Sequence, residues 1–208
     1  MERIAIDPTS PDPEGLAIAA ESLRRGGVVA YPTDTLYALA VDPRRDDAVR
    51  KLFAIKGRDY SAPIALIAAD AVQARQAGVF GIAEARMAER LWPGALTIVV
   101  AAAGDLSRLL SGDLATLGVR VPAHAAARAL AAAFGSCITA TSANVSGQPA
   151  TATPDEVAAA LADRIDTLLD GGPVPGGPPS TIVQIVDGQP TMHRAGAVAW
   201  DRVLESLE

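Results

Sequence analysis

The sequence predicts an α/β protein (α+β in strict schemes), with a mixed, twisted open sheet flanked by helices in one domain over residues 1–208. Three observations support this class. Short apolar strands and amphipathic helices alternate along the chain, but without strict βαβ regularity. A hairpin signal, Asp187-Gly188, lies in the C-terminal part. No repeat or linker divides the 208 residues, and half of them are hydrophobic, which is enough for one large core.

Apolar runs bounded by turn-forming residues predict the strands. Pro32 ends one such run, and a polar loop over residues 33–37 follows it. The segment 171–179, rich in glycine and proline, is typical of a rigid, turning loop between two strands. In chain order, the predicted strands cover residues 3–6, 28–31, 63–68, 96–101, 118–121, 137–141, 165–169, 181–186 and 191–194.

Apolar residues spaced by three and four predict the helices. Start and stop signals support them: Thr153 before Pro154 is a good N-cap, and Gly26-Gly27 follows the first helical stripe as a C-cap. In chain order, the predicted helices cover residues 14–25, 46–55, 70–78, 82–91, 106–110, 124–134, 154–162 and 198–207.

The composition argues against several classes of protein. A formal net charge of -6 does not favour nucleic acid through bulk electrostatics, although a local basic cleft remains compatible with it. The one cysteine, Cys137, rules out an internal disulfide framework and a multi-cysteine zinc site, and its apolar surroundings predict a buried side chain. No apolar leader and no long apolar span are present, so we expect a soluble, cytoplasmic protein without membrane contact.

Motifs of the common catalytic families are missing. The sequence contains no HExxH, GxSxG, Walker A or GxGxxG pattern, and its two histidines are isolated. A histidine-driven hydrolase, a zinc enzyme, a P-loop ATPase and a Rossmann dehydrogenase are therefore disfavoured.

Two short stretches carry the clearest candidate chemistry: KGR (56–58) behind a predicted helix, and TATSANVS (139–146) behind a predicted strand. In extended backbone, side chains two residues apart leave on the same side, so each stretch can direct two polar groups at one point. The two cations of the first stretch, together with Ser142 and Asn144 of the second, describe a site for a phosphorylated anion. The alternatives are solvated charge at a helix end and ordinary turn chemistry.

Each of five further polar residues has both a functional and a structural interpretation. Thr33 and Thr35 either contact a ligand or cap a turn. Arg120 lies in an apolar strand and needs an anionic partner, which is either a structural Asp or a substrate carboxylate. Ser180 is either presented over a pocket by the preceding loop or simply begins a strand. Arg194 is either a phosphate-binding residue or a surface charge.

Seven stretches match one protein family in that family's order and span most of the chain. They are YPTDTLYALAVD (31–42), KGR (56–58), WPGALTIVV (92–100), GVRVPAH (118–124), TSANVSGQP (141–149), GGPVPGGPPSTIV (171–183) and HRAGAV (193–198). Together they resemble the YrdC family, the threonylcarbamoyl-AMP synthases, in its single-domain form. The resemblance implies a YrdC-like fold with a central cleft.

The resemblance also implies an activity. A nucleotidyltransferase of this family condenses L-threonine, bicarbonate (or CO2) and ATP to threonylcarbamoyl-AMP and releases pyrophosphate. This is the first step of the t6A modification at adenosine 37 of ANN-decoding tRNAs. The implied cofactor is Mg2+, bound with ATP, without a tightly bound organic cofactor or a metal site of the protein. The implied downstream partner is a tRNA threonylcarbamoyl transferase complex, and weak direct tRNA binding is left open.

Matched residue by residue, the resemblance implies roles for ten positions, with Thr33 as a weaker eleventh. The catalytic pair is Lys56 and Arg58. The residues implied to bind the nucleotide are Lys56, Arg58, Thr116, Ala140, Ser142, Asn144 and Arg194. The residues implied to bind the threonine substrate are Thr35, Arg120 and Ser180. Three positions depart from the family pattern: Ala38, usually Gly; Asp59, usually Pro; and Ile67, where many longer members have His.

Two other functions compete with this one. An RNA-binding module without catalysis would need a basic surface patch, which the net charge of -6 disfavours. A carbamoyl-AMP-forming enzyme would resemble the related domain of hydrogenase-maturation carbamoyltransferases. Those domains lie in longer chains with zinc-finger-like parts, which a single cysteine cannot form.

Overall fold

One mixed sheet organises the protein in the computed structural model, which describes residues 1–111 and 114–208. Its strands pair in the order β1-β9-β2-β3-β8-β4-β7-β6-β10-β11, with β5 attached to β6. Parallel and antiparallel pairs both occur, so the predicted mixed sheet is confirmed. The strands are β1 (Glu2–Ala5), β2 (Val29–Tyr31), β3 (Ala38–Ala40), β4 (Ala65–Ile67), β5 (Gly78–Val79), β6 (Leu96–Ala102), β7 (Thr116–Arg120), β8 (Ile138–Ser142), β9 (Thr167–Asp170), β10 (Thr181–Val186) and β11 (Gln189–Arg194).

Helices pack on both faces of the sheet and bury two apolar clusters. The helices are α1 (Pro13–Arg24), α2 (Asp46–Lys56), α3 (Ala71–Ala77), α4 (Ile82–Leu91), α5 (Ala125–Phe134), α6 (Pro154–Leu161) and α7 (Trp200–Glu205), with a 3-10 turn at Arg108–Leu110. The apolar sides of α1 and α5 meet on one face. Those of α2, α3, α4, α6 and α7 cover the other. Alternate strand residues therefore serve different clusters, as the period of two requires.

Local capping explains where several helices begin and end. The Thr153 hydroxyl oxygen accepts a hydrogen bond from the Glu156 backbone N–H, and the Glu156 carboxylate accepts one from the Thr153 backbone N–H, which forms a complete capping box. The predicted N-cap at Thr153 is therefore confirmed. Gly57 ends α2 in the left-handed conformation, with φ of 63°. This residue determines the direction in which the chain leaves α2.

The structure differs from the predicted elements at two short strands. β3 lies just behind the predicted polar loop 33–37, and its Ala-Leu-Ala sequence carries no strand pattern of its own. β5 has only two residues and falls at the end of a predicted helix. Both form because a neighbouring strand offers unpaired backbone groups, β2 and β8 for β3 and β6 for β5. The closing helix is also shorter than predicted.

Candidate functional site

A cavity of about 780 Å³ lies on the sheet face that carries α1 and α5, over the strands that these helices leave uncovered. On this face the register pairs Ala38 of β3 with Ser142 of β8, and Ala140 of β8 with Ala65 of β4. Because these side chains are small, the strands that form the floor of the cavity leave space above them. A Cβ at Gly118 would lie 2.7 Å from the Thr97 methyl group, so the close packing of β6 and β7 needs a glycine.

Four segments that are distant in sequence form the walls. Residues 33–37 follow β2, residues 56–64 follow α2, residues 144–152 follow β8, and residues 176–180 precede β10. The backbone of Tyr37 joins two of them, since its N–H donates to Thr151 and its carbonyl accepts from Ala143. The Tyr37 hydroxyl donates to the Gly172 carbonyl at 2.8 Å, in the loop that leads to residues 176–180. Tyr37 therefore connects the wall at residues 33–37 to the wall at residues 144–152 and to this loop.

Four cationic side chains line the cavity: Lys56, Arg58, Arg120 and Arg194. Within the described part of the chain, no Asp or Glu is among the lining residues. Burial lowers the pKa of Arg58 and of Arg194, and burial and the nearby Arg58 lower the pKa of Lys56 to about 8. A site that holds several partly desolvated cations together favours an anionic ligand.

Lys56 is buried, with 2% of its surface exposed, and its ammonium holds the segment after β8. Nζ donates to the Ser142 carbonyl at 2.6 Å, to the Asn144 carbonyl at 2.6 Å and to Asn144 Oδ1 at 2.8 Å. Three N–H groups thus have three acceptors, which is the full capacity of an ammonium. The main role of Lys56 is therefore to hold the loop that follows β8, at Ser142 and Asn144.

The side chains of Ser142 and Asn144 extend the same network. Ser142 Oγ donates to Asn144 Oδ1, and Asn144 Nδ2 donates to the Gln148 carbonyl at 2.6 Å. The backbone N–H of Ser146 donates to the Lys56 carbonyl at 2.9 Å. Both predicted residues line the cavity, and both also shape the loop that surrounds it.

Lys56 and Arg58 do not reach the cavity through extended backbone. The extended conformation predicted over residues 56–58 is wrong. Lys56 is the last residue of α2, and the left-handed Gly57 turns the chain before Arg58. The helix end and the turn, rather than a strand, bring the two cations to one wall.

Arg58 rests on an aromatic pair. Its guanidinium lies 5.6 Å from the Phe53 ring centre, and the Phe53 and Tyr60 rings meet edge to face at 4.8 Å. Its Nε is buried without a hydrogen-bond partner. The neighbouring Asp59 carboxylate instead accepts from the backbone and hydroxyl of Ser61. Among the described residues, no carboxylate pairs with Arg58, so its charge is available to a ligand.

Arg120 has a protein partner. Its Nη2 donates to Oδ1 of Asp34, while its Nε is buried without a partner. The structural Asp that the sequence argument left open is therefore present, and the guanidinium still lines the cavity. Thr33 closes the adjacent turn by donating to the Leu36 carbonyl at 2.7 Å, and Thr35 Oγ1 lies 3.1 Å from Thr33 Oγ1.

Ser180, Arg194 and Thr97 form a third polar group in the cavity. Arg194 donates to the Ser180 carbonyl at 2.9 Å and to Ser180 Oγ at 3.0 Å, and Ser180 Oγ lies 2.8 Å from Thr97 Oγ1. Gly196 packs on the same turn, because a Cβ there would lie 2.2 Å from the Pro179 carbonyl. Sequence reasoning missed Thr97, and its one signal is a hydroxyl inside the apolar strand LTIVVA.

The structure brings together ten of the eleven positions that the resemblance singled out. Thr116 is the exception: it starts β7, four residues before Arg120, and is not among the lining residues. Its role at the nucleotide stays a prediction. The ten that line the cavity are Thr33, Thr35, Lys56, Arg58, Arg120, Ala140, Ser142, Asn144, Ser180 and Arg194.

The three departures from the family pattern are placed as follows. Ala38 lies on the cavity floor opposite Ser142, and its side chain is accommodated there. Ile67 lies beside Arg120 in the register and also lines the cavity. Asp59 faces Ser61, as described above.

In the part of the chain that the structure describes, none of the helices is long and apolar enough to cross a membrane. No three His, Cys, Asp or Glu side chains in residues 1–111 and 114–208 group as metal ligands.

Comparison with known proteins gives consistent matches. The family model for Sua5, YciO and YrdC, described as Telomere recombination, matches residues 21–196. The threonylcarbamoyl-AMP synthase of Bacillus subtilis is 36% identical over 194 residues, which is 92% of this chain and 56% of that protein. That of Halorhodospira halophila is 43% identical over 154 residues, which is 74% of this chain and 81% of that protein. The chain thus spans little more than half of the Bacillus relative.

Solved structures share the whole architecture. Pyrococcus abyssi Sua5 complexed with L-threonine superposes with a TM-score of 0.93 at 31% identity, over 100% of this chain and 61% of that one. E. coli YciO superposes with a TM-score of 0.90 at 26% identity, over 98% of this chain and 100% of that one. The matched family model covers most of the sequence, and the fold and the cavity agree with it. The chain therefore belongs to the Sua5/YciO/YrdC family.

Proposed function

We propose that the chain synthesises threonylcarbamoyl-AMP from L-threonine, bicarbonate or CO2, and ATP. The observation that carries the proposal is the cavity with four cations and no lining carboxylate among the described residues. ATP and threonine both carry negative groups that such a site can hold. Relatives with the same fold carry this name, and one of them binds L-threonine.

The reaction requires stabilisation of negative charge on the phosphate groups more than it requires acid–base catalysis. The threonine amine adds to CO2 and loses a proton, which gives a carbamate. A carbamate oxygen then forms a bond to the α-phosphorus as the bond from that phosphorus to the bridging oxygen breaks, and pyrophosphate leaves. Negative charge grows on the leaving group, and preorganised cations stabilise it. No histidine base is needed for this step.

The surroundings of each cation suggest its task. Arg58 has no carboxylate partner among the described residues and rests on Phe53, so we assign it to the phosphate groups. Arg194 is held at Ser180 and is assigned to the nucleotide. Arg120 and Thr35 are assigned to threonine, with Arg120 on the carboxylate. Lys56 acts through the loop that carries Ser142 and Asn144.

Mg2+ is proposed as part of the ATP substrate. The cavity residues in the described ranges offer hydroxyl, amide and cationic groups but no carboxylate. Such a lining suits a metal ion that the phosphates themselves hold. The chemistry that Mg2+ supplies is neutralisation of charge on the phosphate oxygens.

The fate of the product is also a proposal. A carbamoyl adenylate reacts with water, so its consumer must receive it quickly. We propose a tRNA threonylcarbamoyl transferase complex as that consumer and the cytoplasm as the location, since the resemblance to the family implies this tRNA modification. The RNA-binding alternative has less support, because the cations described here are directed into a cavity rather than spread over a surface.

Pyrophosphate release tests the proposal. The purified chain is given MgATP and bicarbonate, with L-threonine, with L-serine or without an amino acid. We expect release that depends on threonine and is much weaker with serine. Release without any amino acid, or release that depends on carbamoyl phosphate instead, would contradict the proposed substrate. ATP binding without any turnover would favour a binding module.

A further inference from the structure

Asp34 lies between two cavity residues but faces away from the cavity. It follows Thr33 and precedes Thr35, and both of these threonines line the cavity while Asp34 does not. Its Oδ1 accepts from Arg120 Nη2, and its Oδ2 accepts from the backbone N–H of Ala123 at 3.2 Å. The carboxylate therefore connects the turn after β2 to the segment that joins β7 to α5.

The ion pair is largely shielded from solvent. The exposed fraction of the side chain is 16% for Asp34 and 9% for Arg120. A carboxylate and a guanidinium attract each other more strongly in such a place than on a surface, and the guanidinium becomes costly if it loses its partner. The pair therefore keeps the Arg120 guanidinium in one position as well as balancing its charge.

Asp34 accepts a hydrogen bond from only one of the N–H donors of Arg120. The guanidinium has five N–H groups, of which the Asp34 carboxylate takes one on Nη2, and Nε is buried without a protein partner. The register partner of Arg120 on β4 is Ile67, which carries no charge. The unsatisfied donors belong to a residue that lines the cavity.

We infer that Asp34 is a positioning residue for the amino-acid substrate. It holds Arg120 from behind the cavity wall, so that the remaining donors of the same guanidinium meet the substrate carboxylate. One arginine then joins two carboxylates, one of the protein and one of the ligand. Because Asp34 lies between Thr33 and Thr35, the same contact also fixes the turn that presents the threonine hydroxyls. The inference rests on the proposed function, since it takes the ligand to be an α-amino acid.

The test removes the charge of Asp34 and keeps its shape. Binding of L-threonine and of L-threoninamide, which lacks the carboxylate, is measured by calorimetry for the wild type and for Asp34→Asn. We expect threonine affinity to fall about tenfold or more, since a charge-assisted contact is lost from the group that holds Arg120. Threoninamide affinity should change much less, so the preference for threonine over its amide should shrink. ATP affinity should stay within about twofold.

Asp42→Asn is the matched control. Asp42 is buried and pairs with Arg44 through both of its oxygens, but it does not line the cavity. This variant removes an Asp–Arg pair of similar kind elsewhere in the protein. We expect it to leave the preference for threonine over threoninamide unchanged, which separates a general loss of stability from a specific effect on the carboxylate.

Several results would overturn the inference. Asp34→Asn would count against it if threonine binding were unchanged or tighter, or if threonine and threoninamide weakened equally. If Asp34→Asn does not fold, Asp34→Glu, which keeps the charge and shifts the carboxylate, is measured instead; a smaller preference for threonine over threoninamide would support the inference, and an unchanged preference would overturn it. A wild-type protein that binds no threonine would instead refute the proposed function, before any variant is compared.

Discussion

Lys56 and Arg58 are two residues apart, yet their surroundings give them different roles. The Lys56 ammonium donates to three acceptors of the segment 142–144, and its burial is nearly complete. Arg58 has an aromatic ring beneath it and no carboxylate partner among the described residues. A single motif thus contains one residue that organises the site and one that is free to contact the ligand. The sequence shows two cations and does not distinguish these roles.

The pH dependence of the reaction follows from Lys56. Burial, with Arg58 nearby, lowers its pKa to about 8 from an ordinary value of 10.5. Above pH 8 the ammonium loses a proton in the folded protein, and with it one donor to the loop. We expect kcat/KM for ATP to fall through a single ionisation above about pH 8. Tyr37 and Cys137 do not compete for this assignment, because burial raises the pKa of each to about 12.

Folding stability should move in the opposite direction over the same range. Between pH 8 and 10.5 the unfolded chain keeps the Lys56 proton while the folded chain has lost it, so the unfolded state binds more protons. Stability contributed by this group therefore rises with pH in that window. Rate profiles and thermal unfolding curves from pH 6 to 10 check both statements. A rate that stays flat to pH 10 would contradict the role of Lys56, and a parallel loss of stability would point to unfolding.

At the scale of secondary structure, the end of α2 decides where these cations point. Gly57 has φ of 63°, and an added Cβ would meet nothing closer than Val145 Cγ1 at 3.8 Å. Substitution therefore strains the backbone without a clash. Gly135 ends α5 in the same way, with φ of 84° and open space around it. The two glycines are a natural pair for comparison.

Gly57→Ala and Gly135→Ala should cost similar stability and differ in function. A non-glycine residue in the left-handed region costs about 1–2 kcal/mol, which for a chain of this size lowers Tm by about 2–8 °C. We expect both variants to show such a loss by calorimetry. Only Gly57→Ala should also raise KM for ATP, because its strain acts between Lys56 and Arg58. Equal KM values in the two variants would show that the turn does not position the cations.

The sequence predicted most elements because their signals are local. The N-cap at Thr153 and the glycine after α1, Gly26, need only neighbouring residues. β3 and β5 could not be predicted, since they form through pairing with strands far away in the chain. The same limit applies to the site. Local motifs identified Lys56 and Ser142, whereas the role of Asp34 becomes evident only when β7 is folded against the turn after β2.

At the scale of the whole molecule, charge and chain connectivity combine in the cavity. The chain has a net charge of -6, yet four of its cationic side chains line one cavity. The walls come from four segments that are distant in sequence, so a ligand that touches all of them adds contacts between distant parts of the chain. Binding should therefore stabilise the protein as a unit. The phosphate groups should provide most of that effect, because the lining contains four cations and, among the described residues, no carboxylate.

Thermal unfolding with nucleotides tests this expectation. At a concentration about 100 times its Kd, a ligand adds about 2.7 kcal/mol of stability, which corresponds to about 5–11 °C in Tm for a chain of this length. We expect MgATP to raise Tm in this way without threonine present, and adenosine at the same concentration to raise it much less. Arg58→Ala should reduce the effect of MgATP and leave that of adenosine unchanged. If adenosine stabilised the wild type as strongly as MgATP, the cations would not be the binding groups, and the nucleoside contacts would have to provide the affinity.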